Sequence, residues 1–217
     1  SQYKQIIGLL HDSQKATRFW WSHKRKFRAK HTHLIGKGGF GSAYTVRPDD
    51  LLSATRDLLR LKQGSVVETP DKVVVKHIEF PKSSSVQEAD REREVAILQR
   101  LKVVNGIVKL YAAFRYDCEY FLVMNDVGKS LFSLLAKGPF PLTNIDSLMQ
   151  QMLQIIRDMH THSICHRDLN FNNVMVKDGR VSIIDFGLSQ VFEKGAFLTD
   201  ICGRTDIMAP EVFRGKY

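Results

Sequence analysis

The run His166-Arg167-Asp168-Leu169-Asn170-Phe171-Asn172-Asn173 puts a carboxylate and a carboxamide five residues apart, just after a long apolar-periodic segment. A carboxylate so placed can accept a hydroxyl proton, and a carboxamide oxygen can ligate a hard divalent cation. Asp185-Phe186-Gly187 begins twelve residues after Asn173, behind the apolar run 181–184. A carboxylate there suits Mg²⁺ held against nucleotide phosphates. Earlier, Val73-Val74-Val75-Lys76 ends an apolar stretch on a cation. Such a lysine either keeps its ammonium in water or, if buried, needs an anion. Glu94, 18 residues on, can supply one, and the two residues alone leave both readings open. Gly36, Gly38 and Gly41, with Gly39 and Phe40 between, form a G-x-G-x-x-G loop. Glycines there let backbone N–H groups approach phosphate oxygens, although a tight hairpin uses them equally well. Residues 42–46 read as strand and not as the start of a helix, which argues against a dinucleotide-binding fold.

The elements that must position these groups follow from periodicity. Residues 34–46 read as strand, glycine turn, strand, and 72–80 as a valine-rich strand. Ser85-Val86-Gln87-Glu88 has capping-box form and opens a helix through residue 102. Strands are expected over 107–114 and 120–124, and Gly128 breaks the pattern. A short helix over 131–136 and a long one over 143–162 follow. The long helix has Leu148, Met149, Met152, Leu153, Ile156 and Met159 at core spacing. Short strands are expected over 174–176 and 181–184. Strands first and helices second predict an α+β chain with two lobes of different class.

With Ala209-Pro210-Glu211 closing the series, the order of motifs resembles that of the eukaryotic-type protein kinases, from residue 34 to 217. The resemblance implies a two-lobed fold: an antiparallel sheet with one helix over residues 34–127, and a mainly helical partial lobe over 128–217. It also implies ATP as phosphoryl donor, Mg²⁺ as cofactor and a protein as acceptor. By the same resemblance, Ile35, Gly36, Gly38, Gly39, Phe40 and Gly41 cover the phosphates. Lys76 contacts the α- and β-phosphates and pairs with Glu94. Asp168 orients the acceptor hydroxyl and takes its proton, while Asn173 and Asp185 hold Mg²⁺. Met124 guards the adenine pocket, and Asn125, Asp126 and Val127 form a hinge whose backbone bonds adenine. Ala43, Val74 and Met175 sandwich the ring. Leu98, Leu110, His166 and Phe186 match a stack that aligns the lobes.

Several positions depart from the family pattern. Asn170 stands where serine/threonine kinases usually carry lysine. Cys202-Gly203-Arg204-Thr205 has arginine at the usual threonine position, yet its start is closer to serine/threonine than to tyrosine kinases. The usual activating phosphosite falls on Asp200, beside Thr199. Arg167 needs an anion, supplied by Asp200 directly or by Thr199 once phosphorylated, unless both lie in a mobile loop. Residues 50–64 form a helical insertion, which packs on its own lobe or docks a partner through its leucines. The family's later helices are not in this sequence. The reading is a fragment of a longer protein; the alternative is a partner chain that completes the second lobe.

The net charge of +9 is concentrated at the start: residues 1–35 hold eight lysines and arginines against Asp12. This basic extension, 1–33, carries Trp20 and Trp21 within its densest part, 15–30. It binds nucleic acid, anionic lipid or an import receptor, or it packs its tryptophans on the first lobe while the charges stay solvated. Apolar residues make up 43% of the chain, enough for a sizeable core, and no run is long enough to span a membrane. Three well-separated cysteines (Cys118, Cys165, Cys202) fit neither a disulfide framework nor structural zinc, so an intracellular site, cytoplasmic or nuclear, is expected. The sequence reads as an active serine/threonine kinase. The rivals are a pseudokinase scaffold that binds ATP and acts by interaction, and a nucleic-acid-associated module using the basic arm.

Overall fold

The structure is a computed structural model and describes residues 33–38, 41–46, 72–79, 85–116, 119–138 and 142–217. The basic extension up to residue 32, the glycine-loop tip (Gly39, Phe40) and the 50–64 insertion lie outside the described residues, while His33 already belongs to the first strand. The chain divides into two compact units.

The first unit is an antiparallel sheet of β1 (His33–Gly38), β2 (Gly41–Val46), β3 (Val73–Glu79), β4 (Leu110–Tyr116) and β5 (Glu119–Asn125). Its strand order is β1-β2-β3-β5-β4. The alternation expected of a half-buried sheet is clear in β3. Val73 and Val75 join Val46, Ala112, Phe121 and Val123 in a core cluster on one face. Val74 and Lys76 therefore take the other face. Gly41 (φ +125°) begins β2 so close to β3 that a Cβ would run into the His77 carbonyl oxygen.

The second unit holds most of α1 (Ser85–Arg100), from Ala89 onward, closed by a 3₁₀ turn at Leu101–Val103, and the long helix α3 (Leu142–Thr161). Short α2 (Leu131–Leu135) is capped by Ser130, whose hydroxyl accepts from the Ser133 N–H at 3.2 Å. Strands β6 (Lys129–Ser130), β8 (Val174–Lys177) and β9 (Arg180–Ile183) form one small sheet. β7 (Ile164–Cys165) and β10 (Gln190–Val191) form another, and α4 (Pro210–Phe213) follows. Segment 106–108 joins β9 through Ile183 N–H to Gly106 O (2.8 Å) and Val108 N–H to Ile183 O (3.1 Å). Gln151 of α3 also bonds β9, accepting from Val181 N–H (3.0 Å) and donating to Gly179 O (3.0 Å).

One expectation for α3 is corrected. Leu148, Ile155 and Met159 are buried, but Met149 and Leu153 are exposed. At about 100° per residue, positions 148, 152, 155 and 159 form one narrow stripe, and 149 and 153 lie about a quarter-turn or more away from it. The strand expected from Ile107 starts instead at Leu110, because Ile107 belongs to the second unit and pairs there with Ile183 of β9.

Candidate active site

In the first unit, strand register places the nucleotide-binding candidates on one face. Ala43 is opposite Lys76, and Val74 is opposite Met124. Cross-strand partners share a face, as do residues two apart, so Ala43, Val74, Lys76 and Met124 line the side away from the core cluster. Ile35 and Gly36 are exposed on β1. At the end of β5, the Asn125 N–H donates to Lys109 O (3.1 Å), and the Asn125 side-chain oxygen accepts from Lys109 N–H (2.6 Å). The N–H of Asn125 is thus committed within the sheet. Asp126 is half-buried and Val127 is buried.

In the second unit, the loop between β7 and β8 folds around Asp168. Asn173 Nδ2 donates to the Asp168 carbonyl (2.8 Å) and to its Oδ2 (3.0 Å). Asn170 Nδ2 donates to the same carbonyl (3.1 Å) and to Oδ1 (3.2 Å), and Asn170 Oδ1 accepts from Asn172 N–H (2.9 Å). Two carboxamides therefore fix both carboxylate oxygens. With its nitrogen on Asp168, buried Asn173 keeps its amide oxygen as the atom chemically suited to a divalent cation. Asp185 lies in the left-handed region (φ +63°), as does Arg167 (φ +64°), backbone strain of the kind that gathers at functional sites. Met175 is half-buried on β8.

His166 ties the loop to the Asp185 turn. Its Nε2–H donates to Ile184 O (3.0 Å), while Nδ1 accepts from Asp168 N–H (3.3 Å). Both bonds need the neutral Nε2–H tautomer. Burial pushes its pKa below the ordinary imidazole value, and the Ile184 carbonyl and the nearby Asp185, Asp168 and Glu94 only partly oppose this. Its ring meets fully buried Phe186 edge-on, with centroids 5.0 Å apart.

Arg167 points elsewhere. Its Nε donates to Leu188 O (2.7 Å), and Nη1 reaches Asp200 Oδ2 and the Tyr217 hydroxyl, each at 3.4 Å. Tyr217 donates to Asp200 O (2.8 Å) and exchanges two backbone bonds with Leu198 (2.7 and 3.1 Å). Asp200 thus stands at the Arg167 anion position, as one of the sequence readings expected.

Two residues escaped the sequence reading. Tyr217 had no local signal, since it meets Asp200 only after the chain turns through α4. Arg91 did have one: it precedes Glu94 by three residues on a helix, a spacing at which side chains meet. Arg91 and Glu94 form a buried pair, Nη1 to Oε2 at 2.6 Å. Arg91 also lies beside Gly187, where a Cβ would come within 3.0 Å of its Nη1.

The model of the protein kinase domain matches residues 60–217. This chain belongs to the protein kinase domain family. The kinase domain is 34% identical over 166 residues to a probable myosin light chain kinase of Dictyostelium discoideum, covering 72% of this chain and 41% of that protein. A carbon catabolite-derepressing protein kinase of Candida tropicalis is 34% identical over 160 residues, 72% of this chain and 26% of its own length. A serine/threonine-protein kinase of Arabidopsis thaliana is 31% identical over 188 residues, 84% of this chain and 36% of its own. The kinase domain spans well under half the length of these curated relatives. Its α+β fold, with an antiparallel sheet in one unit and the longest helix in the other, is the one the motifs implied. Among the described residues, no helix is long and apolar enough to cross a membrane.

Proposed function

We propose that this domain transfers the γ-phosphoryl group of ATP to a serine or threonine hydroxyl of a protein substrate. The observation that carries the reading is the fixed Asp168 carboxylate, held on both oxygens by Asn170 and Asn173. A carboxylate so oriented accepts a hydroxyl proton as the oxygen attacks phosphorus, and positioning supplies much of the catalysis. Asn173 and Asp185 are the residues that would hold Mg²⁺, and their donor atoms, one amide oxygen and one carboxylate, suit it. Bound there, the ion neutralises charge on the phosphates. Lys76 is assigned to the phosphates, with Ile35, Gly36, Gly38, Gly39, Phe40 and Gly41 as their cover and Glu94 as the anion for Lys76. Ala43, Val74, Met124 and Met175 are assigned to the adenine ring. The backbone of Asp126 and Val127, and the Asn125 carbonyl, are assigned to its edge. A relative named as a serine/threonine-protein kinase supports the acceptor class. Two described cysteines that are both free support an intracellular location.

The test is an Mg²⁺-ATP assay of the wild type and Asp168→Asn, with a generic basic protein and the kinase itself as acceptors. Mass spectrometry then identifies the modified residue. Phosphoserine or phosphothreonine is expected, with a loss of at least about 100-fold in the variant at unchanged folding. Near-normal turnover by Asp168→Asn overturns the assignment.

A further inference from the structure

Phosphoryl transfer spreads negative charge over the moving group, and a cation held within reach lowers the barrier. The loop Asp168–Asn173 contains no lysine or arginine. Asn170 is neutral, and its amide is engaged by Asp168 and Asn172. Arg167 adjoins Asp168, but its guanidinium serves Leu188, Asp200 and Tyr217, and its side chain is only 5% exposed.

A cation arrives instead from the segment before α4. Gly203 has φ +103°, and a Cβ there would lie 2.6 Å from the Arg167 carbonyl oxygen. The backbone at 203 therefore rests on the peptide that leads into Asp168, and Arg204 leaves from that contact. Asp206 grips the Arg204 guanidinium with both oxygens, Nε to Oδ1 at 3.1 Å and Nη2 to Oδ2 at 2.6 Å. A forked pair of this kind fixes the planar group before any substrate arrives, and it leaves Nη1 as a donor outside the fork. The side chain is half exposed, so an incoming anion can reach it. Asp206, and to a lesser degree the Asp168 carboxylate, raise the Arg204 pKa above its ordinary value.

We propose that Arg204 is the cation that meets the phosphoryl group as it is transferred beside Asp168, in a loop whose own position 170 is uncharged. The inference rests on the kinase reading above. In the step, the bond from the γ-phosphorus to the bridging oxygen breaks and ADP leaves with that electron pair. A bond forms from phosphorus to the acceptor oxygen, and the acceptor proton passes to the Asp168 carboxylate. Arg204 changes no bond and contributes charge.

The experiment is steady-state kinetics of the wild type, Arg204→Ala, Arg204→Lys and Arg204→Ala/Asn170→Lys, with melting temperatures as a folding control. Arg204→Ala is expected to lower kcat about 10- to 100-fold, with KM for ATP and for the acceptor changed less than about threefold. Arg204→Lys should keep more activity than Arg204→Ala, and Asn170→Lys should restore part of what Arg204→Ala loses. An unchanged kcat in Arg204→Ala, or an effect confined to the acceptor KM, overturns the inference while leaving the kinase reading intact. A wild type without transfer overturns both.

Discussion

Arg91 and Glu94 face each other one helical turn apart, guanidinium to carboxylate at 2.6 Å, with side chains only 7% and 2% exposed. A charge pair this deep matters most when half of it is removed, because the survivor stays buried without its described partner. Arg91→Leu is expected to destabilise the domain by about 3 kcal/mol, whereas Arg91→Leu/Glu94→Leu should recover much of that loss. Urea unfolding of the two variants checks this. Equal destabilisation by both would mean that the pair adds nothing beyond packing.

Asp200 sits at the anion position of Arg167 but is 75% exposed. Solvent around the exposed Asp200 carboxylate screens the pair to about 1 kcal/mol or less of stability, so its effect should appear in activity. Asp200→Ala is expected to lower turnover several-fold with little change in melting temperature, and Thr199→Ala to leave turnover unchanged. Activity that needs Thr199, and a phosphoryl group on it, would assign the anion role to the neighbour instead.

Tyr217→Phe removes the phenol that bonds the Asp200 carbonyl and touches Arg167. One lost hydrogen bond of this type costs about 1 kcal/mol. Faster proteolysis of the segment around Leu198, measured by timed digestion, is the expected sign, because Tyr217 also pairs with Leu198 through its backbone.

His166 gives a pH dependence with a definite sign. The folded domain holds it neutral, with its pKa depressed below 6.5 by burial, whereas the unfolded chain protonates it near that value. Below pH 6.5 the unfolded state binds more protons, so this contribution is fully present above 6.5 and lost as pH falls toward the folded value. The loss is at most about 1.4 kcal/mol per pH unit. His166→Gln should lack it, and unfolding curves at pH 7 and pH 5.5 for both proteins measure the difference.

The loop around Asp168 was legible because its contacts are local. Asp168, Asn170 and Asn173 lie within six residues, and residue type with spacing nearly fixes their bonds. The β3 face was legible for the same reason, since alternation alone separates Val73 and Val75 from Val74 and Lys76. The two-residue strands β6, β7 and β10 were not, because each exists only through a distant partner, as when Gln190 pairs with Cys165. The α3 stripe was read too broadly: six apolar residues fit a helical face, but β9 packs against a narrower one. Tyr217 was invisible for the reason that makes it effective, since its partners are brought to it by the whole turn from Asp200 through α4.

The Gln151 contacts with β9 bear on how the chain meets copies of itself. Strand β9 ends its sheet, and an open strand edge is a template on which another polypeptide can add. Here a side-chain amide presents one donor and one acceptor to that edge, as a neighbouring peptide would, and residues 106 and 108 occupy the next positions. The edge is closed from within the same molecule. Gln151→Leu would reopen part of it, and the first sign would be self-association at high concentration, not a lost enzymatic step.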